Sequence, residues 1–204
     1  MDDYSQYDLT DDDPYLIPGS TCLINLLNLT DTQALNDAEE RFVNIRMAEL
    51  TTSPIEPAFD LLHLRQIHER LFGDVYPFAG EIRKVEFSKG RELFLPFRLI
   101  EDEAMQCFAW IHAQRLLKGW DAASFGSEAG HFLGWINKIH PFREGNGRTQ
   151  RLLIDQLALV NGYAIEWSAM SKASMVEACR EARLAAGNDQ RLRRLIALHT
   201  VAIR

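Results

Sequence analysis

At 204 residues the chain is long enough to bury a sizeable core and short enough to be one domain. Its formal net charge of −7 disfavours sequence-independent binding along DNA or RNA, because that field repels a polyanion. No run approaches the ~20 continuous apolar residues of a membrane span. The start, MDDYSQYDLTDDDPY, is acidic where a signal peptide is basic and then apolar. A cytoplasmic protein without direct nucleic-acid or membrane partners is the expectation. The cysteines at 22, 107 and 179 are odd in number and set among apolar residues, which reads as reduced, structural thiols.

Residues 1–13 read as a mobile acidic arm, and Pro14, Pro18 and Gly19 open the domain with turns. Thr30 to Gln33 has the spacing of a capping box, so a helix should run from there toward Leu50 with Leu35, Ala38, Phe42 and Ile45 as turn-spaced markers. The run TTSPIEP stops it, since neither proline can continue a helix. A second helix fits Ala58 to Phe72, with Phe59, Leu62, Ile67 and Leu71 inward and Gly73 as its stop. From Ile82 to Phe97 the period drops to two, predicting a short hairpin that turns at Lys89-Gly90. Helical spacing returns over residues 99–117, 122–138, 147–162, 168–186 and 189–202. The sum is an all-α bundle carrying one isolated hairpin, and such a hairpin is usually functional.

The chemistry concentrates in IHPFREGNGRTQR, residues 139–151. Pro141 cannot extend the helix before it, which puts His140 at or just past that helix's end. Gly145, Asn146 and Gly147 all tolerate left-handed backbone, and alternating such residues turns N–H groups inward to form an anion-binding nest. The next helix adds its own unpaired N–H groups and positive dipole end. Arg148 and Arg151 project from one side of its first turns, where cations cost about 0.3–1 kcal/mol each, so a polyanion is expected to offset them. Glu144 would repel that ligand unless a cation intervened, and Mg²⁺ binds well through one or two carboxylates plus phosphate oxygens. His140 is the side chain here able to accept a proton near neutral pH. The remaining histidines, at 63, 68, 112, 131 and 199, lack metal-ligand spacing and read as structural or surface residues. The glycines alone are poor evidence for a dinucleotide fold, because the third glycine and the preceding strand are missing.

HPFREGNGRTQR resembles the Fic motif, His-x-Phe-x-(Asp/Glu)-Gly-Asn-Gly-Arg-x-x-Arg, at every defined position. Upstream, LRQIHERLFGDVYPFAGEIRK is similar to the Fic core segment that leads into the hairpin known in the family as the flap. The resemblance spans roughly 58–162 and implies the Fic fold over residues 14–204, with flanking helices. It implies a protein adenylyltransferase that moves AMP from Mg-ATP to a Ser, Thr or Tyr hydroxyl. His140 would be the general base, Phe142 a core anchor, and Glu144 the Mg²⁺ ligand. The backbone of Gly145, Asn146 and Gly147, with the Asn146 side chain, would cradle the α-phosphate, and Arg148 and Arg151 would hold the outer phosphates. The flap would comprise Lys84, Val85, Glu86, Phe87, Ser88, Lys89, Gly90, Arg91, Glu92, Leu93, Phe94 and Leu95, registering the target by pairing backbone with it.

Two rival readings stay open at this stage. One is a Doc-like kinase of the same fold, disfavoured by the intact GNGR stretch. The other is a catalytically silent binding module, disfavoured because no motif residue is missing. Many members of the family carry an inhibitory pattern, (Ser/Thr)-x-x-x-Glu-(Gly/Asn), whose glutamate pairs with the second motif arginine. Here the glutamate followed by Gly or Asn is Glu144 itself, while Pro57 and Ala129 follow the spacings at Thr52 to Glu56 and Ser124 to Glu128. The resemblance therefore points to the branch inhibited by a separate small antitoxin, whose stand-alone members modify ATPase subunits of type II DNA topoisomerases.

Overall fold

The structure is a computed structural model that describes residues 13–86, 88–89, 92–184 and 188–203. The expected arm at 1–12, and the flap residues Phe87, Gly90 and Arg91, lie outside the described residues. Asp13 is described, and its carboxylate forms an ion pair with Arg143 at 2.9 Å, both side chains buried.

Seven helices make up most of the described chain. α1 (Thr32–Thr52) begins one residue after Asp31, whose carboxylate accepts the Ala34 N–H. The cap is thus Asp31 and not Thr30, both being good N-cap residues that satisfy a first-turn donor. α2 (Leu61–Phe72) starts later than Ala58 for the same reason, because the Asp60 carboxylate accepts the His63 N–H. Leu35, Val43 and Leu50 of α1 and Leu64, Ile67, Leu71 and Phe72 of α2 are buried. Ile45 and Leu62, expected to face inward, are 55% and 58% exposed, each sitting off its helix's buried stripe.

The hairpin pairs β1 (Ser88–Lys89) with β2 (Glu92–Leu93) in antiparallel register, Ser88 opposite Leu93 and Lys89 opposite Glu92. Lys89 therefore belongs to a strand instead of the turn. After a 3₁₀ turn at Phe97–Leu99 come α3 (Ile100–Ala113) and α4 (Ala122–Ile139). The first expected helix of this pair stops at Ala113 because Arg115, Leu116 and Leu117 take positive φ. α5 (Asn146–Val160) follows the motif, and α6 (Lys172–Leu184) and α7 (Gln190–Leu198) close the bundle. Ser168 and Ala169, expected to open α6, belong instead to a separate 3₁₀ turn at Trp167–Ala169.

A second strand pair was not expected. β3 (Tyr163–Ile165) pairs antiparallel with β4 (Thr200–Ala202), pinning the segment after α5 to the one after α7. α4 is the central element, packed against α3, α5, α6 and α7, with Phe125, Phe132, Leu133, Ile136 and Ile139 buried. Its contact with α7 is close because a Cβ at Gly126 or Gly130 would lie 2.6 Å from the Ala197 Cα or 2.8 Å from the Arg193 Cα. Cys22 and Cys107 are buried, and none of the three cysteines is in a disulfide. Among the described residues no helix is long and apolar enough to cross a membrane.

Candidate active site

α4 ends at His140, which adopts a left-handed conformation (φ 49°, ψ 63°) while its N–H still bonds the Ile136 carbonyl. Pro141 next in line cannot donate to the ladder, so the helix stops there. His140 Nδ1 lies 3.3 Å from the Asn137 carbonyl. A carbonyl can only accept, so Nδ1 carries a proton, and in the neutral ring Nε2 is the basic nitrogen. The imidazole is buried, and the Phe94 ring of the flap stacks on it with centroids 4.0 Å apart.

The loop from Pro141 to Gly145 folds around Phe142, which is fully buried and stacked on His68 at 3.9 Å. It is the core anchor the motif implies. Asn146 closes the loop: its Oδ1 accepts the Phe142 N–H at 2.9 Å and its Nδ2 donates to the Phe142 carbonyl at 2.7 Å. The side chain expected to cradle phosphate thus also bonds the main chain of its own loop. Gly145 takes φ 75°, and a Cβ there would lie 2.3 Å from the Phe72 ring, so only glycine fits. The first ladder bond of α5 runs from the Thr149 N–H to the Gly145 carbonyl. The N–H groups of Asn146, Gly147 and Arg148 therefore lie outside that ladder at the helix's positive end.

Two buried residues hold this loop in place. The Gly80 N–H donates to His68 Nδ1 at 2.8 Å, which leaves Nε2–H to donate to the Glu144 carbonyl at 2.9 Å. Burial lowers the His68 pKa to about 3, so the ring is neutral and keeps this tautomer. Arg83 is 1% exposed, and its guanidinium donates to the carbonyls of His140, Val85 and Leu95, tying the base of the flap to the end of α4. Arg83 escaped sequence reading; its one visible signal was a charge set between Ile82 and Val85 in an apolar alternation.

Glu144 is not a solvated surface carboxylate. Its side chain is 6% exposed, accepts the Gly145 N–H at 2.8 Å and lies 3.5 Å from the Arg148 guanidinium. Burial, then the neighbouring Glu39 carboxylate, push its pKa up, with Arg148 opposing. A buried carboxylate beside the N–H-rich start of α5 fits Mg²⁺, which takes one or two carboxylates and completes its shell with phosphate oxygens and water. Among the described residues no cluster of three or more His, Cys, Asp or Glu could hold a metal through protein donors alone. Arg148 packs its guanidinium 4.7 Å from the Phe72 ring centroid, and Arg151 follows half-buried one turn later, near Asp155.

In the flap, the Lys84 N–H donates to the Tyr15 hydroxyl and the Glu86 carboxylate accepts the Phe97 N–H. Glu92 is gripped by Arg180 at 2.6 Å and Arg183 at 2.5 Å, both on α6. Arg183 also lies 4.3 Å from the Phe94 centroid, so α6, β2 and the His140 ring form one connected stack. Lys84 and Leu93 point outward, 75% and 73% exposed. Among the described residues β1 and β2 pair only with each other.

The Fic/DOC family pattern matches residues 58–158. The chain is 41% identical over 169 residues to the protein adenylyltransferase VbhT of Bartonella schoenbuchensis, covering 83% of this chain and 35% of VbhT. It thus spans about a third of that relative's length. It is 34% identical over 166 residues to a probable protein adenylyltransferase Fic of Escherichia coli, covering 81% of this chain and 82% of that protein. Among solved structures, BepC of Bartonella tribocorum with bound AMPPNP superimposes with a TM-score of 0.85 at 27% identity, covering 93% of this chain and 97% of BepC. Motif, fold and kinship agree, and the chain belongs to the Fic/DOC family, with the Fic fold.

Proposed function

We propose that this chain is a protein adenylyltransferase that moves AMP from Mg-ATP to a Ser, Thr or Tyr hydroxyl of a target protein. One observation carries the reading: the turn between α4 and α5 sets a histidine, a buried carboxylate and a glycine-rich helix start beside two arginines on the first turns of α5. His140 Nε2 takes the proton as the target oxygen attacks the α-phosphorus, and pyrophosphate departs. A positioned base of this kind is worth about 10²–10⁴-fold. The N–H groups at the start of α5 stabilise the charge that develops on the α-phosphate, and Arg148 and Arg151 hold the outer phosphates. Mg²⁺, held by Glu144 when bound, would neutralise phosphate charge. The flap presents β1 and β2 to an extended target segment, and Phe94 keeps the His140 ring in place.

The regulatory part of the proposal rests on sequence. With no inhibitory pattern of its own, the protein would act as the toxin of a toxin–antitoxin pair, checked by a separate small protein that brings a carboxylate to Arg151. Lysate incubated with the protein and either α- or γ-labelled ATP tests the reaction class. AMP transfer leaves only the α label on protein, and a γ label there would establish phosphate transfer instead.

A further inference from the structure

Glu39 lies on the buried stripe of α1, one turn from Leu35 and one from Val43, and is 6% exposed. A carboxylate in that place is costly to desolvate unless its oxygens are well matched. Both are. The Tyr76 hydroxyl donates to Oε2 at 2.5 Å, and the Arg148 guanidinium meets Oε1 at 2.6 Å. Tyr76 is itself fixed, 2% exposed and stacked on Phe78 at 5.0 Å. Arg148 is therefore gripped by Glu39 at its tip and by Phe72 on its face, with the Glu144 contact looser at 3.5 Å. Glu39 lies outside the family-matched stretch 58–158, so the flanking helix reaches into the motif.

We infer that Glu39 is a positioning residue that sets the Arg148 guanidinium for the outer phosphates of ATP. The inference rests on the proposed nucleotide site. A mobile brake would need to swing aside, whereas Glu39 sits inside a 21-residue helix anchored on both sides by buried leucine and valine. A role confined to stability is a weak account of the pair, because buried ion pairs seldom stabilise more than apolar packing of the same volume. What a fixed carboxylate does supply is an arginine already ordered before the ligand arrives, and ordering such a side chain on binding is costly.

The test is calorimetric titration of Mg-ATP and of AMP, which lacks the outer phosphates, into wild type, Glu39→Gln, Arg148→Ala and the double variant. Simple charge removal would tighten Mg-ATP, since the ligand is a polyanion. Positioning predicts the opposite sign: Glu39→Gln weakens Mg-ATP about tenfold, leaves AMP unchanged, and adds nothing in the Arg148→Ala background. Tighter or unaltered Mg-ATP binding, equal weakening of both nucleotides, or an additive loss in the double variant would each overturn the inference. Should Glu39→Gln fail to fold, Tyr76→Phe replaces it, keeping the carboxylate but removing the hydroxyl that fixes it. Its Mg-ATP affinity should fall in the same direction relative to AMP, and an unchanged ratio overturns the inference. A wild type that binds no Mg-ATP would overturn the site reading and this inference together.

Discussion

Arg83 Nε donates to the carbonyl of His140 across 57 residues at 2.9 Å, and the Arg83 N–H bonds the next carbonyl, Pro141, at the same distance. The residue before the flap thereby fixes the main chain of the proposed base. Replacing Arg83 with Ala leaves several buried carbonyls without donors, each costing about 1–3 kcal/mol. Thermal unfolding should show a loss of roughly 3 kcal/mol or more, with Arg83→Lys intermediate because an ammonium can satisfy only part of the fan. Wild-type stability in Arg83→Ala would refute the role assigned to it.

Glu144→Ala should reduce the dependence of ATP affinity on Mg²⁺, since this carboxylate is the proposed ligand of the ion. Nucleotide titrations with Mg²⁺ and with a chelator measure it. An unchanged metal dependence would place the ion elsewhere.

The flap should loosen when its hold on α6 is cut. Arg180→Ala combined with Arg183→Ala removes both partners of Glu92 and the cation over Phe94. Arg180 is half exposed, so its share of the stability cost should be small. Hydrogen exchange of the hairpin amides should accelerate several-fold relative to the rest of the chain. Exchange indistinguishable from wild type would show that α6 does not hold the flap.

Asp155 gives the stability curve a definite sign. Burial raises its pKa to about 6, against the Trp167 indole bond and the Arg151 charge, which lower it. The folded state then keeps a proton that the unfolded chain releases near 3.8. Stability from this group is therefore greatest below about pH 4 and declines as pH rises toward about 6. Above that, Asp155→Asn should be more stable than wild type by up to about 3 kcal/mol, still accepting from Trp167. Urea unfolding at pH 5 and 7.5 checks it, and a less stable Asn variant at pH 7.5 would reverse the argument.

What the sequence revealed of the site follows from contiguity. His140, Phe142, Glu144, Gly145, Asn146, Gly147, Arg148 and Arg151 fall within a dozen residues, so local rules about proline, glycine and helix ends reach them all. The supports of that loop come from far away: Arg83 at 57 residues from His140, His68 at 76 from Glu144, and Asp13 at 130 from Arg143. No periodicity marks such partners. Glu39 matches no pattern in the sequence, since the family's inhibitory pattern concerns Arg151 and this carboxylate meets Arg148. β3 and β4 are three residues each, too short to alternate visibly, and β4 reads as the tail of a helix until it pairs. The phosphate role of the Asn146 amide comes from the resemblance alone, and its bonds to the Phe142 main chain carry no mark in the sequence.

The central claim is that His140 removes the proton from a target hydroxyl while AMP passes to the oxygen. The direct measurement is label transfer from α-labelled ATP to lysate protein by wild type and His140→Ala, at Mg-ATP concentrations that saturate both. The account predicts labelled protein with wild type, transfer by His140→Ala reduced at least about 10²-fold, and Mg-ATP affinity within a few-fold of wild type. Near-wild-type labelling by His140→Ala at equal nucleotide occupancy would contradict it.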